Sequence, residues 1–176
     1  PRPFSELIDK LVQIVEQYLL LQFKAGADAV QIFDSWGGVL AADDYRKYAL
    51  PAIQRIVNTL QSAGCPCILY IGNGSHLIRE GLESGARCMS VDWRTKIADV
   101  FNHSNATGAN IVAQGNLDPT DLFLPLEEIR ARTRAMIAEC PRPSHYIANL
   151  GHGVLQKTPP ASVKAFIDAV KEGWGF

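Results

Sequence analysis

Strands and helices alternate strictly along this chain, which predicts an α/β fold built on a parallel sheet with crossover helices. Three observations carry that prediction. Short β-rich apolar runs recur at Ala29, Cys67, Cys88, Asn110 and Tyr146. A stretch of helical apolar periodicity follows each run. Each run also stops at glycines and polar residues, as a buried strand does where it meets its turn.

The elements read in order as follows. Leu7, Leu11, Ile14, Val15, Tyr18 and Leu19 recur at three- and four-residue steps, so residues 5–25 form a helix with Ser5 as its cap. Lys24-Ala25-Gly26 closes it. Ala29–Asp34 is a strand, stopped by Gly37-Gly38. A helix starts at Asp43 and runs through Leu60, with a kink or break expected at Pro51. Cys67–Ile71 is a strand, and a short helix through Leu77, Ile78 and Leu82 ends at Gly85. Cys88–Trp93 is a strand, with a helix from about Thr95 to Val100. Asn110–Gln114 is a strand stopped by Gly115-Asn116. The next helix has Pro125 near its first turn, with Glu127 and Glu128 beside it at the positive end of its dipole. Tyr146–Leu150 is the last strand. The last helix takes Thr158 as cap and carries Pro159 or Pro160 in its first turn.

Length and composition are those of one globular domain, residues 1–176. The chain has 176 residues, 47% apolar and 20% charged, with a net charge of −1. Disorder is excluded as the main state. Nucleic-acid binding by bulk charge is excluded too. No apolar run approaches the roughly 20 residues of a membrane span, and Arg2-Pro3 lead into an amphipathic stretch in place of a secretory leader. The four cysteines are expected to be reduced thiols in or near the core, which makes cytoplasm the default compartment.

Strand starts near 29, 67, 88, 111 and 146 lie about 29 residues apart. Eight such units approach the roughly 250 residues of a closed (β/α)8 barrel. The chain is then either a five-stranded open sheet or the C-terminal five βα units of a barrel.

The chemistry gathers at the strand ends. Asp34-Ser35-Trp36-Gly37-Gly38, Gly72-Asn73-Gly74-Ser75-His76, Asp92-Trp93-Arg94, Gln114-Gly115-Asn116-Leu117-Asp118 and Asn149-Leu150-Gly151-His152-Gly153 all follow their strands. In a parallel α/β fold that is the ligand-binding face. A structural turn needs one glycine and one cap, and these turns carry Asp, Trp, Gln and His as well. Each residue also has a plain structural role open to it. Asp34, Ser35 and Asp92 suit loop caps, Asn73 and Asn116 suit turn positions, and Gln114 suits a satisfied interior amide. His152, between two glycines, is open to a ligand. Trp36 and Trp93 suit either core or the wall of an apolar pocket. His76, His103 and His145 read as surface residues.

Three other patterns fail. Gly72-Asn73-Gly74 with Asp92 imitates a dinucleotide fingerprint, but Leu77 stands at its third glycine position. Ser35 lies in D-S-W-G-G, which is not a nucleophile elbow. Cys65 and Cys67 flank a proline at the wrong end of a strand for a metal site.

Taken together, Phe33–Gly38, Leu69–Gly74, Val91–Trp93, Gln114–Pro119 and Asn149–Gly153 resemble the uroporphyrinogen decarboxylase family, in order and almost end to end. The resemblance implies a cofactor-free enzyme on a (β/α)8 barrel, usually a homodimer, in the cytoplasm or in the plastid of plants. It implies decarboxylation of the four acetate arms of uroporphyrinogen III to coproporphyrinogen III. It also implies that Ser35 and His152 bind substrate carboxylates, and that Asp34, Trp36, Asp92 and Gln114 support the pocket. No nucleic acid, membrane or metal enters the reading.

The family's catalytic Asp, substrate-binding arginines and active-site tyrosine belong to segments that precede residues 5–25. The expectation is therefore a C-terminal portion, inactive alone, with no catalytic residue of its own. Two alternatives stand beside it. One is an inactive porphyrin-binding or remnant module on the same scaffold. The other is a relative of the cobamide-dependent methyltransferases, whose zinc-binding His-x-Cys would fall at Leu69 and Ile71.

Overall fold

The computed structural model describes residues 2–108 and 110–174. The chain divides into two compact units, residues 1–89 and 90–176, with the division inside a strand. The fold class is parallel α/β, as expected from the alternation. No helix among the described residues is long and apolar enough to cross a membrane.

The first unit runs α1 (Arg2–Lys24), β1 (Val30–Asp34), α2 (Ala42–Asp44), a π-helical turn at Tyr45–Ala49, α3 (Leu50–Ser62), β2 (Cys67–Ile71), α4 (Ile78–Glu83) and the start of β3 (Cys88–Ser90). Its strand order is β1-β2-β3. β1 and β2 are parallel, with Val30 beside Cys67 and Asp34 beside Ile71. Val12 and Leu19 of α1, Val57 and Leu60 of α3 and Leu69 of β2 share one buried cluster. Asp9 of α1 pairs with Arg55 of α3, and Thr59 donates to Glu16 at 2.9 Å.

The second unit holds the end of β3, then α5 (Ile97–Thr107), β4 (Val112–Leu117), α6 (Leu126–Ala138), β5 (Tyr146–Leu150) and α7 (Pro160–Trp174). β4 and β5 are parallel, with Ala113 beside Tyr146 and Leu117 beside Leu150. Val100, Phe101, Leu122, Ile129 and Ala169 are fully or almost fully buried. Arg130 of α6 faces Asp168 and Glu172 of α7 at 3.6 and 3.5 Å.

Several boundaries differ from the sequence reading, each for a local reason. Helix α1 begins at Arg2, so Ser5 lies inside it; Pro3 in the first turn is already preset for helix. The break expected near Pro51 is the π-helical turn. Pro51 itself sits in the first turn of α3, where its missing N–H costs nothing. Strand β3 stops at Ser90 because Asp92 turns the chain, its carboxylate accepting the Arg94 N–H at 2.9 Å. Helix α5 reaches Thr107, carried by buried Val100, Phe101 and Ser104, and closes at Gly108 with φ +71°.

Strand β4 runs through Gly115 to Leu117 instead of stopping. Gly115 adopts φ +139°, and a Cβ there would lie 2.6 Å from the Val91 carbonyl oxygen. Pro125 stands at the N-cap of α6, next to the first turn as the sequence reading has it. Thr158 Oγ1 is buried without a hydrogen bond, so it is no cap. The strands were expected to be buried on both faces. β2 and β3 nearly are, but Phe33 of β1 and Ile147 of β5 are 68% and 42% exposed.

The four cysteines are free and buried. Burial pushes the Cys67 and Cys88 thiols up to about 12, which keeps the nucleophilic thiolate scarce at neutral pH. Native protein at pH 8 should therefore resist thiol labelling, with all four sites reacting after denaturation; rapid labelling of Cys67 or Cys88 in the native state contradicts this packing. Leu60→Ala, at a fully buried site, should lower stability by about 2–5 kcal/mol in chemical denaturation. A loss under about 0.5 kcal/mol is what an exposed site gives.

Candidate functional site

In the first unit the polar residues stand where β1 and β2 end. The two turns meet backbone to backbone. Gly72 N–H donates to the Asp34 carbonyl at 2.9 Å, and Gly38 N–H donates to the Gly72 carbonyl at 3.0 Å. A Cβ on Gly38 would collide with the Asn73 carbonyl, and one on Gly72 with the Ser35 carbonyl. Those glycines therefore fix Asp34, Ser35 and Trp36 at the strand's C-terminal end. Ser35 is exposed, and Trp36 is 78% exposed.

Asp34 is held from below. The fully buried Tyr45 donates from its hydroxyl to Asp34 Oδ2 at 2.9 Å, and the Gly37 backbone supplies a second hydrogen bond. Burial nevertheless raises the Asp34 pKa above the ordinary carboxylate value, with both hydrogen bonds pulling it back. The Tyr45 hydroxyl is itself pushed up, first by burial and then by the Asp34 charge. The charge of Glu80, only 1% exposed, also bears on Tyr45, and Glu80 faces the Arg46 guanidinium at 2.5 Å. Arg46 also binds Asp43 at 2.7 Å.

In the second unit Asp92, Gln114 and His152 were the residues singled out. Asp92 is 2% exposed, and its Oδ2 accepts from Arg94 Nη1 at 3.2 Å. The Arg94 guanidinium stacks 4.2 Å over the Trp93 ring. Asn116 Nδ2 donates to the Asp92 and Thr95 carbonyls. Gln114 is buried and donates to Ser90 Oγ at 3.0 Å. Gly151 N–H donates to the Leu117 carbonyl at 2.7 Å, and a Cβ on Gly151 would lie 2.6 Å from the Trp93 nitrogen. The exposed His152 thus follows a turn seated directly on Asp92-Trp93.

Asp92 and His152 therefore share one corner of this unit, whereas Gln114 lies within the strand below. A cavity of about 410 Å³ opens beside that corner, lined among others by Trp93, Lys96, Asn116, Asp121 and Arg132. Arg132 bridges Asp121 at 2.8 Å and Glu128 at 3.2 Å.

Sequence reading missed Tyr45, Arg94 and the Asp121–Arg132 pair. Tyr45 stands 11 residues after Asp34 with no pattern linking the two. Arg94 was inside a motif already singled out, and an Asp-x-Arg spacing is the only signal that points to its pairing.

Two units of parallel βα structure, each with its polar, glycine-rich turns at the strand C-termini, define the class: a parallel α/β protein that fits part of a (β/α)8 barrel. The family model described as Uroporphyrinogen decarboxylase (URO-D) matches residues 1–173. The chain belongs to the uroporphyrinogen decarboxylase family.

Its similar relatives include the uroporphyrinogen decarboxylase of Desulfotalea psychrophila, 40% identical over 98% of this chain and 50% of that protein. That of Geobacillus kaustophilus is 37% identical over 98% and 49% respectively. The chain thus spans about half the length of the curated relatives it matches. Among solved structures, a methyltransferase from Methanosarcina mazei aligns with a TM-score of 0.77 at 20% identity. It covers 93% of this chain and 47% of that one. This likeness concerns the fold alone.

Asp34 gives a test by titration. Its folded pKa lies above its unfolded value, so stability falls as pH rises from the ordinary carboxylate range through the raised folded midpoint. Asp34→Asn should remove that fall and raise the unfolding midpoint at pH 7. Tyr45→Phe deletes a donor to the carboxylate and should move the Asp34 midpoint higher still, read by carboxyl-carbon NMR. A downward shift in Tyr45→Phe contradicts the assignment.

Proposed function

We propose that this chain forms the carboxylate-binding part of a uroporphyrinogen decarboxylase. The reaction removes the four acetate carboxylates of uroporphyrinogen III as CO2 and leaves methyl groups, giving coproporphyrinogen III. The observation that carries this reading is the family match over residues 1–173. The reading takes residues 1–176 as one domain, working in the cytoplasm as a homodimer and without a cofactor.

Chemically, an electron-rich pyrrole is protonated and the acetate arm then loses CO2. A substrate with eight carboxylates needs polar groups that accept it and a flat apolar wall for the ring. Ser35 and His152, both exposed on turns held by glycine contacts, take the carboxylate-binding roles. Trp36 supplies the apolar face. Asp34, Asp92 and Gln114 hold the turns and strand ends through Tyr45, Arg94 and Ser90. The methyltransferase alternative is disfavoured, because Leu69 and Ile71 offer no zinc ligand.

The test is coproporphyrinogen formation from uroporphyrinogen III, by this chain alone and with the N-terminal half of the Desulfotalea psychrophila relative. Product is expected only when both are present. Ser35→Ala and His152→Asn should each lower kcat/KM about 10- to 100-fold, the worth of one hydrogen bond to a charged group. No product from the pair, or product indifferent to both substitutions, contradicts the reading.

A further inference from the structure

Arg94 is the only arginine or lysine within the strand-end motifs. Its turn is rigid before the guanidinium is considered. The buried Asp92 accepts the Arg94 N–H at 2.9 Å, and the Asp92 carbonyl accepts the Thr95 N–H at 3.1 Å. Asn116 Nδ2 donates to the Asp92 and Thr95 carbonyls, on either side of Arg94. The side chain is then fixed from two directions. Nη1 donates to Asp92 Oδ2 at 3.2 Å, and the guanidinium carbon stands 4.2 Å from the centre of the Trp93 ring. About half of the side chain remains exposed. A guanidinium carries five N–H donors in a planar fork, and Asp92 takes one of them. An arginine already held by a carboxylate and a ring loses little freedom when it binds a ligand. The Gly151 turn rests on Trp93, so the exposed His152 belongs to the same corner.

We propose that Arg94, backed by Asp92 and Trp93, binds a carboxylate of the porphyrinogen that the reaction retains. This deepens the decarboxylase reading and rests on it. Charge selects which carboxylate is bound. A reacting acetate leaves as neutral CO2, so its negative charge passes into the ring as the bond breaks. A cation paired with that carboxylate stabilises the ground state more than the transition state and raises the barrier. The four carboxylates that survive in coproporphyrinogen keep their charge through every step. A fixed guanidinium is productive on one of these, where it binds ground state and transition state equally. Such a contact lowers KM and leaves kcat alone. A second arginine set over a ring lacks this placement. Arg142 stands 5.6 Å from the centre of the Phe101 ring and donates to Asn105, on the N-terminal side of β5.

The test titrates the chain with uroporphyrin and with coproporphyrin, and assays turnover beside the N-terminal half of the Desulfotalea psychrophila relative. Arg94→Gln should weaken both porphyrins by the same factor, about 10-fold, the worth of one charge-assisted hydrogen bond at a half-exposed site. It should raise KM alike and leave kcat unchanged. Arg94→Lys keeps a cation beside Asp92 but not the planar fork, and should lose about 3-fold. Arg142→Gln should move neither quantity. Unchanged affinity in Arg94→Gln overturns the proposal, even where the unfolding midpoint falls, because Arg94 then only braces the Asp92 turn. Loss confined to uroporphyrin together with a lower kcat overturns it too, and makes a reacting acetate the partner. So does no binding of either porphyrin by the unsubstituted chain. Arg94-dependent binding of both porphyrins without coproporphyrinogen formation keeps the role of Arg94 and removes the proposed activity. Turnover by the pair with unaltered kinetics in Arg94→Gln does the reverse.

Discussion

In each unit, the strand-end turns depend on backbone packed against backbone. Gly38 lies on Asn73, Gly72 on Ser35, Gly115 on Val91 and Gly151 on Trp93, each so close that a single Cβ would collide with main-chain atoms. A side chain at these points must move a whole turn, because main-chain atoms cannot swing aside as a flexible side chain does. The turns are therefore locked by shape before any polar side chain acts. Ser35 and His152 owe their exposure to this locking, since their own side chains need not be packed to be placed.

The buried polar residues complete the arrangement from beneath. Asp34 uses Tyr45, Asp92 uses Arg94, and Gln114 uses Ser90. A buried carboxylate or amide without a partner is costly, and each of these three has one. The result is a division of labour along two of these motifs. At Asp34 and Asp92 the acidic residue stabilises the strand end and the residue that follows, Ser35 or Trp93, faces solvent, whereas Gln114 is followed by the buried Gly115. Asp34 before Ser35 shows this most clearly, with the partly buried member bonded to Tyr45 and its neighbour open.

Much of this was legible in the sequence, for physical reasons that can be named. β2 and β5 fall where they were read, because apolar runs between turn residues leave little choice of register. Helix α5 was read short, since Asn102, His103, Ser104 and Asn105 have poor helix propensity and only burial of Phe101 and Ser104 holds them helical. β4 was stopped early because glycine usually ends a strand, whereas Gly115 continues this one in tight contact with Val91. At the site, the exposed members of each motif were found by their residue types. The partners of the supporting residues were not. Tyr45 and Arg132 come from neighbouring helices, and no spacing rule connects them to Asp34 or Asp121.

The central claim is that the strand-end turns of this chain recognise a polycarboxylate macrocycle. Titration with uroporphyrin, read by quenching of tryptophan fluorescence, tests it without requiring turnover. Trp36, at 78% exposure, is the reporter best placed to respond. Saturable quenching is expected, weaker for coproporphyrin with its four carboxylates, reduced by Ser35→Ala and His152→Asn, and largely lost in Trp36→Phe. Quenching that is equal for both porphyrins and unmoved by those substitutions would contradict the account.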